Sequence, residues 1–347
     1  MSPVTRFVLV PALIGVVLGL AIMLYKNSAP TKPGFAAAVN RAAPAVVNIY
    51  STKITRQGLL CRIPAYRELC KAFGSAPQVQ NSLGSGVIVR ADGYVLTNHH
   101  VVAEADEILV MFANNQTTSA RVIGSDPHTD LAVIKVAAQG LPVIPQLQDE
   151  SPQVGDVALA IGNPFGLGHS VSQGIISAFA RTIITNSPYD DFIQTDAAIS
   201  PGNSGGALVD HKGRLLGINT MIYSQSGGSE GIGFAIPWHI ALSVMDQIVA
   251  HGRVIRGWLG VSLTPQPLPN APSGLRVTAV TPQGPAYAAG LRTGDIILSV
   301  RRAPATNAYT ITQLIASTPP GEKIELEVMR NQERFRATAV AGELLNP

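Results

Sequence analysis

Residues 202–206 read Gly-Asn-Ser-Gly-Gly and lie between two apolar stretches, at 192–193 and 207–209. A serine with glycines on both sides sits on a tight turn, where backbone N–H groups can converge on one point. An oxyanion hole requires that convergence, so Ser204 is the candidate nucleophile. The apolar stretches on either side predict strands that hold the turn.

Two segments upstream supply the groups that a serine nucleophile needs. A serine hydroxyl is nearly inert at neutral pH unless a base takes its proton, and a third group must orient that base. His99 and His100 follow the strand-like stretch 94–98, and Asp130 opens the apolar stretch 131–134. The chain order is therefore histidine, aspartate, serine.

The residues alone leave alternatives for the base and its partner. Neighbouring side chains on an extended segment point to opposite faces, so only one of His99 and His100 can readily face Ser204. Asp126 precedes a proline and has the pattern of a turn residue. Asp130 leads into a strand, where a buried carboxylate can accept an imidazole N–H, and it is the better candidate on that ground.

Four separated motifs resemble those of the chymotrypsin-like serine proteases, and specifically of the HtrA family. They are Thr-Asn-His-His-Val at 97–101, Asp-Leu-Ala-Val-Ile-Lys at 130–135, Gly-Asn-Ser-Gly-Gly at 202–206 and Gly-Ile-Gly-Phe-Ala-Ile-Pro at 231–237. The resemblance implies a mainly β fold with a chymotrypsin-like double β-barrel. The histidine and the aspartate then come from the first barrel, the serine comes from the second, and the site lies in the cleft between them.

The resemblance assigns His100 as the base, Asp130 as its orienting carboxylate and Ser204 as the nucleophile. It makes Asp196, a rival carboxylate eight residues before the serine, structural. The implied reaction is peptide hydrolysis through an acyl enzyme, which needs neither a metal nor an organic cofactor.

Further site residues follow from the same motifs. We expect the backbone N–H groups of Gly202 and Ser204, together with that of Asn203, to form the oxyanion hole. Ile199 and Ile218 are expected to line the substrate pocket nearest the serine, the S1 pocket, and to favour a small or medium apolar side chain.

The composition excludes some functions and suggests a compartment. The chain has 347 residues with a formal net charge of +3, and it carries no basic blocks of the kind that nucleic-acid-binding proteins use. Its two cysteines, Cys61 and Cys70, lie nine residues apart in a loop-like segment. We expect a disulfide between them, which needs an oxidising compartment, although two unrelated free thiols would fit the sequence as well.

The N-terminal region predicts a membrane anchor. Residues 7–25 form an uncharged run of nineteen residues, which as a helix would approximately span a bilayer core. A cleaved signal peptide is the alternative, but the run is longer than the usual apolar region of such a peptide and lacks a good cleavage site close behind it. We therefore expect a stub and anchor at 1–26, a linker at 27–34, a protease domain at 35–252 and a second domain at 253–347.

The C-terminal region resembles a single PDZ domain. The stretches that carry this resemblance lie at 258–261, 275–277, 286–291, 294–298 and 324–328. A glycine in the loop before a strand lets consecutive N–H groups bind the carboxylate of a peptide C-terminus, while the adjacent strand edge pairs with that peptide. The residues expected to bind the carboxylate are Trp258, Leu259, Gly260 and Val261.

An anchor combined with one PDZ domain most resembles the DegS-type branch of the HtrA family. This resemblance implies a periplasmic stress protease, held in the inner membrane, whose PDZ domain senses C-termini of misfolded outer-membrane proteins. It also implies a membrane-bound anti-sigma factor as substrate, Arg181 as the residue that couples the PDZ signal to the active-site loops, and a homotrimer. A general periplasmic quality-control protease and a catalytically silent PDZ scaffold or holdase remain alternatives.

Overall fold

A computed structural model describes residues 12–20, 23, 34–55, 78–147, 151–164, 168–181, 189, 191–200, 202–222, 230–267 and 274–345. Residues 1–37 and 38–347 form two separate compact units. In the first, residues 12–20 are helical. Within the described ranges, no helix is long and apolar enough to cross a membrane. The segment 7–25 predicted as an anchor lies partly outside these ranges, and Cys61 and Cys70 lie wholly outside them.

The second unit begins with the end of helix α1 and a closed six-stranded antiparallel barrel. Helix α1 is Ala36–Ala42, and a 3₁₀ turn at Ala43–Ala45 leads into the barrel. The strands are β1 (Val46–Thr55), β2 (Gln78–Arg90), β3 (Tyr94–Asn98), β4 (Glu107–Met111), β5 (Thr117–Asp126) and β6 (Leu131–Val136). They close in the order β1-β2-β3-β6-β5-β4, with the short helix α2 (His99–Val102) after β3.

A second closed barrel follows in the chain. Its strands are β7 (Val157–Gly162), β8 (Ser170–Arg181), β9 (Phe192–Thr195), β10 (Ala207–Val209), β11 (Leu215–Ile222) and β12 (Gly233–Pro237). They close in the order β10-β11-β12-β9-β8-β7. Alternate inward-facing aliphatic side chains fill this barrel, which is the arrangement expected of a small antiparallel barrel. The predicted double barrel is therefore confirmed.

Helix α3 (Trp238–His251) ends the protease region and packs on both barrels. It contacts β5 and β6 of the first barrel and β11 and β12 of the second. Its buried residues include Ala241, Val244 and Ile248, which recur at helical spacing. The sequence alone predicts a helix at 238–250, from the apolar spacing of Ile240, Val244 and Ile248 and the glycine at 252, and the structure confirms it.

The C-terminal domain is built around a five-strand path, β14-β15-β16-β18-β19, with β17 paired to β16. Its strands are β13 (Gly257–Trp258), β14 (Val261–Gln266), β15 (Gly274–Val280), β16 (Ile296–Val300), β17 (Ala303–Pro304), β18 (Lys323–Arg330), β19 (Glu333–Val340) and β20 (Gly342–Glu343). The helices are α4 (Pro285–Ala288) and α5 (Ala308–Ala316). Within the described residues β14 pairs on one side only, with β15, so it is an edge strand next to α5.

Candidate active site

Strand pairing brings the histidine and the aspartate together. Asn98, the last residue of β3, is the register partner of Leu131, the first residue of β6. The two histidines continue from one strand, and Asp130 immediately precedes the other. The antiparallel pairing therefore places the candidate base beside the candidate carboxylate.

Asp130 has an unusual backbone conformation that its neighbours stabilise. Its φ is +54°, in the left-handed region that non-glycine residues seldom adopt. Its carbonyl oxygen accepts the backbone N–H of His99 and the side-chain amide of Asn98, each at 3.0 Å. These two bonds from the end of β3 hold the turn that aims the carboxylate.

The Asp130 carboxylate is fixed on both oxygens. Oδ1 accepts the backbone N–H of His100 at 3.0 Å. Oδ2 contacts Nδ1 of His100 at 2.8 Å and accepts the Thr220 hydroxyl at 2.7 Å. With Nδ1 donating to the carboxylate, Nε2 is the ring nitrogen that can take a proton, which is the orientation that a general base requires.

Thr220 connects this pair to the serine. The Ser204 hydroxyl donates to the Thr220 carbonyl at 3.0 Å, while the Thr220 side chain binds Asp130. Thr220 thus links Ser204 to the Asp130–His100 pair, and within the described residues the Ser204 hydroxyl donates to Thr220 and not to His100. The sequence analysis missed Thr220; its only signal was a polar pair, at 219–220, inside an otherwise apolar strand.

The nucleophile turn leaves two amides available. The N–H of Asn203 donates to the carbonyl of Ser200 at 2.9 Å, so this predicted member of the oxyanion hole is already hydrogen-bonded. Within the part of the chain that the structure describes, the amides of Gly202 and Ser204 have no acceptor. Gly205 has a φ of +81°, and a Cβ there would overlap the carbonyl of Ser85, so only glycine fits.

The other predicted residues near the serine lie in the second barrel. Ile199 and Ile218 are 1% and 0% exposed and belong to the barrel interior, so neither lines an open pocket in this conformation. The backbone of Arg181 ends β8 opposite Phe192, and its side chain lies outside the described atoms. Asp196, the rival carboxylate, accepts the N–H of Ile175 at 2.7 Å.

The other rival carboxylate, Asp126, binds the segment that leads into the C-terminal domain. Its oxygens accept Nη1 and Nη2 of Arg256 at 2.7 and 2.6 Å, and Thr129 also donates to it. Burial alone would raise the pKa of Asp126, but the bonds and charge of Arg256 outweigh that effect and lower it. The guanidinium also lies over the ring of Tyr189, with 4.6 Å to the ring centroid.

A second contact joins the two domains. Tyr309 on α5 donates from its hydroxyl to Oδ2 of Asp191 at 2.9 Å. Asp191 directly precedes β9, whose first residue is the partner of Arg181. The helix beside the edge strand of the C-terminal domain is therefore hydrogen-bonded to the second barrel.

The loop before β14 exposes two amides. The carbonyls of Leu259 and Gly260 accept the N–H groups of Ala286 and Thr281 at 2.8 and 2.9 Å. In the described ranges, the amides of Leu259 and Gly260 have no acceptor, and Gly260 has a φ of +78°. Trp258 instead pairs with Gly342 in the short β13–β20 ladder.

Comparison with known proteins agrees with both halves of this architecture. Residues 84–218 match the trypsin-like peptidase domain family, and residues 257–339 match the PDZ domain family. The serine endoprotease DegS of Salmonella typhimurium (strain 14028s / SGSC 2262) is 39% identical over 328 residues, which cover 91% of this chain and 88% of that protein. The chain belongs to the HtrA-type serine endoproteases.

Other HtrA-type proteases are similar over most of the chain. A probable periplasmic serine endoprotease, DegP-like, of Ectopseudomonas mendocina (strain ymp) is 41% identical over 337 residues, which cover 90% of this chain and 71% of that protein. The solved structure of the HtrA-type protease AlgW with a decapeptide has a TM-score of 0.79 and 44% identity, and covers 90% of this chain and all of that one (100%). This HtrA-type chain is therefore a serine endopeptidase with one PDZ domain. Among its described residues, no group of three or more His, Cys, Asp or Glu side chains could hold a metal ion.

Proposed function

We propose that Ser204, His100 and Asp130 carry out peptide hydrolysis by acyl transfer. The observation that carries this proposal is the Asp130 carboxylate, which binds Nδ1 and the backbone N–H of His100 at 2.8 and 3.0 Å. A carboxylate in that position holds the imidazole in the tautomer of a general base and stabilises the imidazolium that forms.

The reaction begins with a change of hydrogen bond at the serine. The Ser204 hydroxyl turns from the Thr220 carbonyl towards Nε2 of His100, which takes its proton as Oγ bonds to the substrate carbonyl carbon. The negative oxygen of the tetrahedral intermediate is held by the amides of Gly202 and Ser204.

The second half of the reaction reverses these proton transfers. The carbon–nitrogen bond breaks as His100 gives its proton to the leaving amine, and an acyl enzyme remains. Water then attacks the acyl carbon while His100 accepts a water proton, and that proton returns to Oγ as the new carboxylic acid leaves. Every proton in this scheme therefore passes through His100: the Ser204 proton goes to the leaving amine, and a water proton restores the Ser204 hydroxyl.

The PDZ domain is proposed to sense the C-termini of misfolded outer-membrane proteins. The unoccupied amides of Leu259 and Gly260 suit a terminal carboxylate, and the edge strand β14 can pair with the rest of a peptide. Trp258 and Val261 flank this loop. Two contacts connect the domain to the protease, Arg256 with Asp126 and Tyr309 with Asp191.

The proposed role is a DegS-type stress protease. Residues 7–25 anchor it in the inner membrane, its protease and PDZ domains lie in the periplasm, and it acts as a homotrimer. Its substrate is a membrane-bound anti-sigma factor. Arg181 transmits the PDZ signal to the active-site loops, and Ile199 and Ile218 select the residue before the cleaved bond once the pocket opens.

Proteolysis of a reconstituted substrate tests this role. The periplasmic domain of a membrane anti-sigma factor is incubated with the full chain, with and without peptides that end in a free carboxylate. We expect cleavage at one site, accelerated by the free-acid peptide and not by the same peptide amidated at its C-terminus. Cleavage of denatured proteins at many sites, without acceleration, would instead favour general quality control, which the DegP-like relatives support.

The alternative of a catalytically silent PDZ scaffold or holdase is tested separately. A fluorophosphonate probe should label the wild-type protein and fail to label Ser204→Ala. Analytical ultracentrifugation of the fragment from residue 34 onwards addresses the trimer, and a monodisperse monomer contradicts it. N-terminal sequencing of the mature protein distinguishes a retained anchor from a cleaved signal peptide.

A further inference from the structure

Ser85, in β2 of the first barrel, makes hydrogen bonds with every polar group it has. Its backbone N–H donates to the carbonyl of Ser204 at 2.8 Å, and its hydroxyl donates to the carbonyl of Gly202 at 2.6 Å. The same hydroxyl accepts the N–H of Asn163 at 2.9 Å, and its carbonyl accepts the hydroxyl of Thr97 at 2.7 Å. The residue is 0% exposed. One serine of the first barrel thus holds the nucleophile turn of the second.

The hydroxyl of Ser85 fixes the peptide plane between residues 202 and 203. The carbonyl of Gly202 accepts that hydroxyl, and the N–H of Asn203 at the other end of the plane donates to the carbonyl of Ser200 at 2.9 Å. A plane bound at both ends cannot rotate without breaking a hydrogen bond. It lies between the two amides that are proposed to hold the oxyanion.

The next two planes are fixed in the same way. The carbonyl of Asn203 accepts the N–H of Gly206 at 2.9 Å, which sets the direction of the Ser204 amide in the same plane. The carbonyl of Ser204 accepts the N–H of Ser85. Ser85 therefore binds the two peptide planes on either side of the plane that carries the Ser204 amide, and only the bond to Gly202 depends on its side chain.

From this geometry we infer that Ser85 is a positioning residue for the hydrolysis, which acts by holding the oxyanion-binding amides in place. The inference rests on the proposed role of Ser204. An amide that is already aimed stabilises the charge that develops in the transition state, whereas the bound substrate carries no such charge. Loss of the Ser85 hydroxyl should therefore lower kcat and leave KM nearly unchanged.

The test compares Ser85→Ala with wild type on an internally quenched peptide chosen by cleavage-site mapping. We expect kcat to fall about 10- to 100-fold and KM to change less than about twofold, because removing an oxyanion donor outright costs about 100- to 1000-fold. A peptide boronate of the same sequence, which forms a tetrahedral adduct, should lose affinity by a factor similar to the loss in kcat. The rate is expressed per folded molecule, with the folded fraction measured by circular dichroism, so partial unfolding does not imitate the effect.

Thr195→Val is the matched control. The Thr195 hydroxyl is also buried, donates to a backbone carbonyl, that of Ile175 at 2.7 Å, and accepts the N–H of Ala197 at 3.1 Å, so it resembles the Ser85 hydroxyl but has both partners within the second barrel. We expect a similar loss of thermal stability and a kcat within about threefold of wild type. Equal losses of kcat in both variants, a change confined to KM, or unchanged boronate affinity in Ser85→Ala would overturn the inference. Ser204→Ala tests the premise independently. If a fluorophosphonate still labels that variant, the proposed nucleophile is wrong, and this result does not bear on the role of Ser85.

Discussion

Arg256 and Asp126 form a buried ion pair through two parallel hydrogen bonds, although they are 130 residues apart in the chain. The side chain of Asp126 is 0% exposed and that of Arg256 is 10% exposed. Asp126 ends β5, four residues before Asp130, and Arg256 directly precedes β13 of the PDZ domain. The pair therefore connects the turn that carries Asp130 to the start of the PDZ domain.

Removing one member of this pair should destabilise the protein strongly. In Asp126→Ala the Arg256 guanidinium stays buried without its partner, and such losses cost about 3–5 kcal/mol. We expect a markedly lower Tm by differential scanning calorimetry. Asp92→Ala, which breaks surface ion pairs with Arg90 and Lys135, should change Tm far less. Similar Tm values for the two variants would show that the buried pair does not stabilise the fold.

The same pair predicts a dependence of stability on pH. The pKa of Asp126 is lower in the folded chain, since Arg256 outweighs the effect of burial. The stabilisation is thus complete above the unfolded pKa of about 3.9 and is lost as pH falls towards the lower folded pKa. A series of Tm measurements from neutral to acidic pH should show a smaller acid loss in Asp126→Asn than in wild type. Parallel curves would contradict the assignment.

The Thr220 hydroxyl should contribute to catalysis through Asp130. In Thr220→Val the carboxylate loses a 2.7 Å hydrogen bond, and bonds to charged groups contribute about 1.5–3 kcal/mol. We expect kcat/KM to fall roughly 10- to 100-fold. Thr220→Ser keeps the hydroxyl and should stay within about threefold of wild type. Equal rates in the two variants would exclude the hydroxyl from the mechanism.

The Tyr309 hydroxyl is expected to restrain the resting protease. Peptide bound between β14 and α5 would displace α5 and weaken the 2.9 Å bond from Tyr309 to Asp191. Tyr309→Phe should therefore raise peptide-free cleavage by up to about 10-fold and leave the peptide-saturated rate unchanged. Tyr287→Phe, at an exposed position on α4, is the control and should change neither rate. An unchanged peptide-free rate in Tyr309→Phe would argue against coupling through this bond.

Short-range signals in the sequence predicted helices, strands and turns. The hydrogen-bond partners of individual side chains depend on contacts between residues far apart in the chain. Helix α3 and the tight turn around Ser204 were predicted because helical spacing and turn residues act over a few positions. Asp126 was interpreted as a turn residue because it precedes a proline, yet its partner is Arg256. No periodic pattern connects residues that far apart, and the same holds for the bonds that Thr220 and Ser85 make between strands.

Hydrogen bonding within the nucleophile turn explains why the three amides predicted to form the oxyanion hole are not equally available. Three consecutive amides, at 202–204, were expected to point at one oxygen. The amide of Asn203 instead closes a turn with Ser200, whereas the amides on either side have no acceptor among the described residues. The direction of a peptide plane depends on its hydrogen-bond partners, and a sequence motif does not specify them.

Helix α3 contacts strands of both barrels and ends at Gly252, four residues before Arg256. A hinge-like opening of the cleft would have to separate α3 from one of the barrels and expose its buried face, including Val244 and Ile248. That cost opposes any separation of the two barrels. Loops at the rim of the cleft can change without this cost, so exchanging them is a route to altering substrate access that leaves the frame of the protease intact.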